Sequence, residues 1–216
     1  MKYFITLFVF FLPFLVVCQN SKELDELSDK AALESFDMLY ELLSIPNDAF
    51  YPEDIEKNVK WCEAAFSKRG FSTTRIETET VPLLLAQRNH RKAKKTVLIY
   101  LQIDGQPVDS TRWFQESPYK PTLKRKNNKG KWETLSWDKI SEYEDDWRVF
   151  ARSASDAKGP VAMFLAALDA AAEQKIEPNY NIKVIMDFEE EMGSPRLPEA
   201  VTENTELLKA DMLIIY

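Results

Sequence analysis

Three short stretches of this chain place acid where chemistry could use it: QID at 102–104, ARSASDAKGP at 151–160 and EEEMGS at 189–194. Asp104 ends an almost wholly apolar run, TVLIYLQI, and Glu189, Glu190 and Glu191 end a second one, NIKVIMDF. Asp156, with Lys158, stands just before Gly159 and Pro160, where a helix opens. Ionised carboxylates brought together repel one another and lose hydration, and the usual agent that offsets both costs is a divalent cation. Each stretch also has a plain structural reading. Asp156 could cap the helix that follows it, and EEEMGS could be a solvated loop. The metal reading rests on all three meeting at one place.

The elements that would bring them together are legible in the periodicity. Leu24, Leu27, Ala31, Phe36, Leu39 and Leu43 mark an amphipathic helix over 23–44, which Pro46 ends. Pro52 opens a second helix that stops at Gly70. FSTTRI and VPLLLAQ read as strands, the basic turn RNHRKAKK leads to a strand over 96–103, and residues 105–148 read as irregular. A helix from Pro160 to about Gln174, strand 181–188, a short helix near 198–208 and the strand ADMLIIY complete the chain. Helices alternating with buried strands predict an α/β fold, a three-layer sandwich with a mixed, largely parallel sheet. Sites in such sheets lie beyond the carboxyl ends of the strands. Asp104 and the three glutamates follow strand ends, and Asp156 lies in a turn leading into a helix.

As an ordered set, QID, RSASDAKGP and EEEMGS resemble the motifs of the zinc-dependent exopeptidases and amidohydrolases related to aminoacylase, carboxypeptidase G and carnosine dipeptidase. LSIP at 43–46 resembles that family's usual opening helix end. The resemblance covers roughly residues 25–216. It implies that Asp156 is the carboxylate bridging two zinc ions, Glu191 a terminal zinc ligand and Glu190 the general base. Asp104 would be the acid that orients the neighbouring ligand. It further implies one or two zinc ions, with cobalt or manganese as substitutes. The implied activity is hydrolysis of peptide or N-acyl-amino-acid amide bonds.

Three departures qualify that likeness. Gln102 stands where the family has a histidine ligand, and a carboxamide oxygen binds zinc poorly beside an imidazole. Gln102 is therefore a weak metal ligand at best, and a relative that binds peptides or proteins without turnover is the alternative function. Ala151 and Ser153 replace glycines the family commonly has, which suggests an altered approach to the site. Finally, the family takes a further carboxylate after a strand like ADMLIIY and a distant histidine. The chain therefore resembles the N-terminal part of a longer hydrolase, with the lid domain, through which such enzymes dimerise, outside it. The single histidine, His90, lies at the wrong end of its strand to serve as a ligand.

Bulk properties agree with one globular unit: 45% of the 216 residues are hydrophobic and the net charge is -7, which argues against a nucleic-acid partner. Residues 1–18, with Lys2 followed by a short apolar run, read as a signal peptide cleaved before Gln19, with a membrane anchor or lipidation of Cys18 as alternatives. Export to the periplasm or the extracellular space is the expectation. Cys62 keeps helical spacing with Ile55, Val59 and Phe66 and reads as a core residue. The four tryptophans of 105–148 allow a flap over the site, but an extended hairpin packed on the domain, with its Lys-rich tip in water, is the favoured reading.

Overall fold

The computed structural model describes residues 21–216. The expected leader and Cys18 lie outside the described residues. Helix α1 spans Ser21–Leu43 and α2 spans Pro52–Ser67. Proline at the first turn of α2 costs no hydrogen bond, and Glu53 and Asp54 sit favourably at its positive end. Gly70 takes a φ of 77° and turns the chain into strand β1, Ser72–Ile76. Strands β2 (Leu83–Arg88) and β3 (Thr96–Gln102) follow.

Three short strands lie between β3 and the next helix: β4, Thr122–Lys126; β5, Trp132–Thr134; and β6, Arg148–Phe150. They form their own antiparallel sheet in the order β5-β4-β6. The segment read from sequence as irregular is therefore partly ordered; its strands are three to five residues long and too charged to show apolar alternation. Asn127–Lys131 is the tip, where the Asn127 Oδ1 accepts from the backbone N–H of Lys129 and Lys131. Some of the segment's aromatics pack on the domain, Trp137 meeting Tyr40 with ring centroids 4.6 Å apart and Tyr143 meeting Phe36 at 5.1 Å, and Trp147 is buried, whereas Phe114 and Trp132 are exposed.

Helix α3 runs Lys158–Glu173 and strand β7 runs Asn181–Asp187. The single helix expected near 198–208 is two, α4 (Leu197–Glu203) and α5 (Thr205–Leu208), parted at Asn204. Strand β8, Met212–Ile215, comes last. Its wholly apolar sequence reads as a buried strand, yet it occupies one edge of the main sheet and all four residues are exposed.

The main sheet has the order β1-β2-β7-β3-β8. β3 pairs parallel with both β7 and β8, while β1, β2 and β7 pair antiparallel, so the sheet is mixed. Side-chain alternation divides it into two faces. Leu84, Ala86, Ile99, Leu101, Val184 and Met186 pack with Leu42 of α1, Cys62 and Phe66 of α2, and Val161 and Leu165 of α3. On the other face Leu83, Leu85 and Ile185 meet Ala200 of α4 and Leu208 of α5. Three layers result. The decisive register for function is Gln102 opposite Asp187, because it ends β3 and β7 level and releases the residues after them at one edge.

Candidate functional site

Asp104 is almost completely buried, and both its oxygens are occupied by backbone. Oδ1 accepts from the N–H of Glu190 and Oδ2 from the N–H of Glu191, each at 3.1 Å. The carboxylate thus pins the start of the 3-10 turn Glu190–Met192, which Gly193 closes with a φ of 84°. As the acid that the resemblance assigns to orienting the neighbouring ligand, Asp104 would be expected to bond Gln102. Instead, the adjacent turn offers two N–H donors, and Gln102 turns to Asp156, its Nε2 donating to Oδ1 at 3.2 Å. Burial pushes the Asp104 carboxyl up to about 7; the Glu191 and Glu190 N–H groups pull against that, and the charge of Asp187 adds to it.

Asp187 is itself buried, accepting from the Glu189 N–H at 2.9 Å and from the Tyr100 hydroxyl at 3.2 Å. Of the three glutamates, Glu189 leaves the site: its Oε2 accepts from the Thr80 hydroxyl at 2.7 Å. Glu191 stays, its Oε2 accepting from Gln106 Nε2 at 3.0 Å. Glu190 also stays. Partial burial raises its pKa, and the charges of Glu191, Asp156 and Asp187 raise it further. The Glu190 carboxyl thus lies in the field of Asp156, Asp187 and Glu191.

The turn 151–157 is built by steric fit. Ser153 has a φ of 59°, and its Oγ accepts from Asn47 Nδ2 at 2.9 Å. The same Nδ2 donates to the Ile103 carbonyl at 2.6 Å, and the Asn47 carbonyl accepts from the Gly105 N–H at 2.8 Å. A Cβ at Gly105 would stand 2.3 Å from Ser153 Oγ, and one at Gly159 would stand 2.4 Å from the Ala154 carbonyl. Ser153 therefore fills the space beside a glycine. Asp156 does not cap α3; Ala157 holds the cap position, and no side chain bonds there.

Lys158, read with Asp156 as part of the strand-end set, is placed elsewhere. It is buried, and its Nζ donates to the carbonyls of Leu42 and Ile45 at the end of α1. Burial pushes its ammonium down to about 7, and the two hydrogen bonds tie α1 to the start of α3. Cys62 is a core residue as read, and burial pushes its thiol well up. His90 lies in the β2–β3 turn, its Nδ1 accepting from the Lys92 N–H.

Asn47, Gln106 and Asp187 were not singled out from sequence. Gln106 had a signal, two positions after Asp104 in DGQ. Asn47 had only its place after LSIP. Among the described residues, no group of three His, Cys, Asp or Glu side chains is gathered so that it could hold a metal ion. What is present is a partial set: Asp156 and Glu191 as oxygen donors, each accepting a glutamine N–H.

Residues 98–215 match the family described as peptidase family M20/M25/M40. The Cys-Gly metallodipeptidase dug1 of Schizosaccharomyces pombe is 29% identical over 157 residues, 70% of this chain and 29% of that one. An M20 family metallo-carboxypeptidase, Sso-CP2 from Sulfolobus solfataricus, is 31% identical with a TM-score of 0.67, over 84% of this chain and 37% of its own. Human carnosine dipeptidase 1 shares the fold at a TM-score of 0.69 and 22% identity, over 89% of this chain and 40% of its own. The chain thus spans well under half the length of these relatives. The matched region runs from β3 to β8 and takes in all three acidic strand-end stretches, and the chain belongs to peptidase family M20/M25/M40.

Proposed function

We propose that the full-length protein is a divalent-metal-dependent hydrolase of peptide or N-acyl-amino-acid amide bonds, of dipeptidase or carboxypeptidase type. The observation that carries this is the pair of bonds from the Glu190 and Glu191 N–H groups to buried Asp104. They fix two adjacent carboxylates at the edge where Asp156 also emerges. Asp156 and Glu191 are the residues that would hold the ion, zinc being the usual one. A bound divalent ion supplies Lewis-acid polarisation of the amide carbonyl and acidifies water.

The chain's own residues do the rest. Glu190 carries a carboxyl raised by burial and by its neighbours' charges, which suits proton exchange nearer neutral pH. It takes the proton of the attacking water on a carboxylate oxygen and hands it to the leaving nitrogen. Asp104 acts through the backbone, holding Glu190 and Glu191 in register, and is a positioning residue. The test is turnover of dipeptides and N-acyl amino acids by the full-length protein, with zinc and after chelation. Activity that is lost with EDTA and restored by zinc supports the reading; activity indifferent to EDTA removes it.

A second reading, a peptide- or protein-binding relative without turnover, is favoured by the Gln102 amide on Asp156. Binding of dipeptides with no product formed at any zinc concentration would select it. Export is part of the proposal as well: the secreted protein should begin at Gln19, and an intact Met1 on a cytoplasmic protein would remove that part.

A further inference from the structure

We infer that Gln102 serves in this protein as a hydrogen-bond donor that holds Asp156, and that the ion position an imidazole at 102 would serve is not formed. This rests on the hydrolase reading above and concerns the same edge of the sheet.

The chemistry of the pair fixes the orientation of the amide. An ionised carboxylate has no proton to donate, so the Gln102 atom 3.2 Å from Asp156 Oδ1 must be the NH2 group and not the oxygen. The carboxamide therefore presents to Asp156 the face that repels a cation. Gln106 makes the corresponding bond to Glu191. The two carboxylates best placed to bind metal are thus each met by a neutral N–H donor.

Charge balance points the same way. No ion pair among the described residues reaches Asp104, Asp156, Asp187, Glu190 or Glu191. Yet these acids share one edge: Glu190 and Glu191 donate their backbone N–H groups to Asp104, and Asp187 lies opposite Gln102 in the sheet. Repulsion among them needs positive charge or donated hydrogens. Gln102 supplies hydrogens at the place where a histidine would have supplied a ligand nitrogen. Asp156 is exposed and makes no capping bond to α3, and the Gln102 amide is its side-chain donor among the described residues.

The experiment uses the full-length wild type, Gln102→His and Gln102→Leu. Each is stripped with EDTA, titrated with zinc, and melted with and without EDTA. Gln102→His should bind one more zinc per chain than the wild type, or bind its last zinc at least ~10-fold more tightly, the lower end of what even an outer-shell partner contributes. Its melting temperature should fall more on adding EDTA than that of the wild type. Gln102→Leu should keep the wild-type zinc stoichiometry and melt lower in EDTA, because Asp156 has lost its donor. Equal zinc number and affinity in wild type and Gln102→His would overturn the inference alone, as would loss of an ion in Gln102→Leu. No zinc bound by any of the three would overturn the hydrolase reading and this inference together.

Discussion

Two groups of carboxylates lie in this molecule, and they are handled in opposite ways. Glu56 and Glu63, two turns apart on α2, share Arg75 of β1, with contacts of 2.9 Å and 2.8 Å. Hydrogen bonds from that guanidinium hold both carboxyls below the usual range. At the carboxyl end of β3 and β7, the partners of Asp104, Asp156, Asp187 and Glu191 among the described residues are backbone N–H groups, glutamine amides and the Tyr100 hydroxyl. There burial raises Asp104 and Glu190. Acid that is neutralised fastens an α-helix to a strand. Acid with no basic side chain paired to it among the described residues is what the proposed metal site rests on, and perturbed carboxyls such as Asp104 and Glu190 are candidates for function.

The sharpest way to break the contrast is at Glu190. In the full-length protein Glu190→Gln should lower turnover at least ~100-fold, the scale of a general acid–base group, while leaving the urea midpoint unchanged or higher. Glu56→Gln should do the reverse, leaving turnover alone and lowering the midpoint; if the two variants behaved alike, the division would be wrong. Next in size is Asp104→Ala, which leaves two N–H groups of the Glu190 turn without their acceptor. Loss of two bonds to a charged group, partly offset by removing a buried carboxylate, should cost about 2 kcal/mol in urea unfolding. No change would mean that the turn holds itself.

Gly105→Ala tests the neighbouring turn, where fit rather than charge is in command. Overpacking against Ser153 Oγ should cost about 1–2 kcal/mol. Adding Ser153→Gly should return much of it, because glycine also suits the positive φ there. Strict additivity in that double-mutant cycle would refute the coupling. Smallest is Arg75→Gln. Carboxyls depressed in the folded state contribute stability that is present above their unfolded pKa and lost as pH falls through the folded value. The wild type should therefore lose more stability than the variant below about pH 4.3. The groups are about a third exposed, so screening keeps the difference under about 1 kcal/mol. Parallel pH curves for the two proteins would show that Arg75 has no such role.

How far all this was legible in the sequence depended on the range of the interaction. Helices and central strands followed from local apolar period, as Ile55–Val59–Cys62–Phe66 and TVLIYLQ show. The small sheet β5-β4-β6 did not, because its short charged strands β4 and β6 pair across 24 to 28 residues. The three acidic stretches stood out by order and type, and they do converge. Roles within them did not follow from spacing: Glu189 and Lys158 sit beside residues of the site and point elsewhere, one to Thr80 and the other to the end of α1.

The sequence by itself determined the long helices and the strands of the main sheet, the family motifs and the substitution at 102, since period, turn residues and residue type are properties of short segments. Tertiary structure alone decided what each polar group bonds. A side chain such as Asp104, Gln102 or Asn47 goes to whichever donor or acceptor the packing brings within about 3 Å, and those partners lie 54 to 106 residues away along the chain.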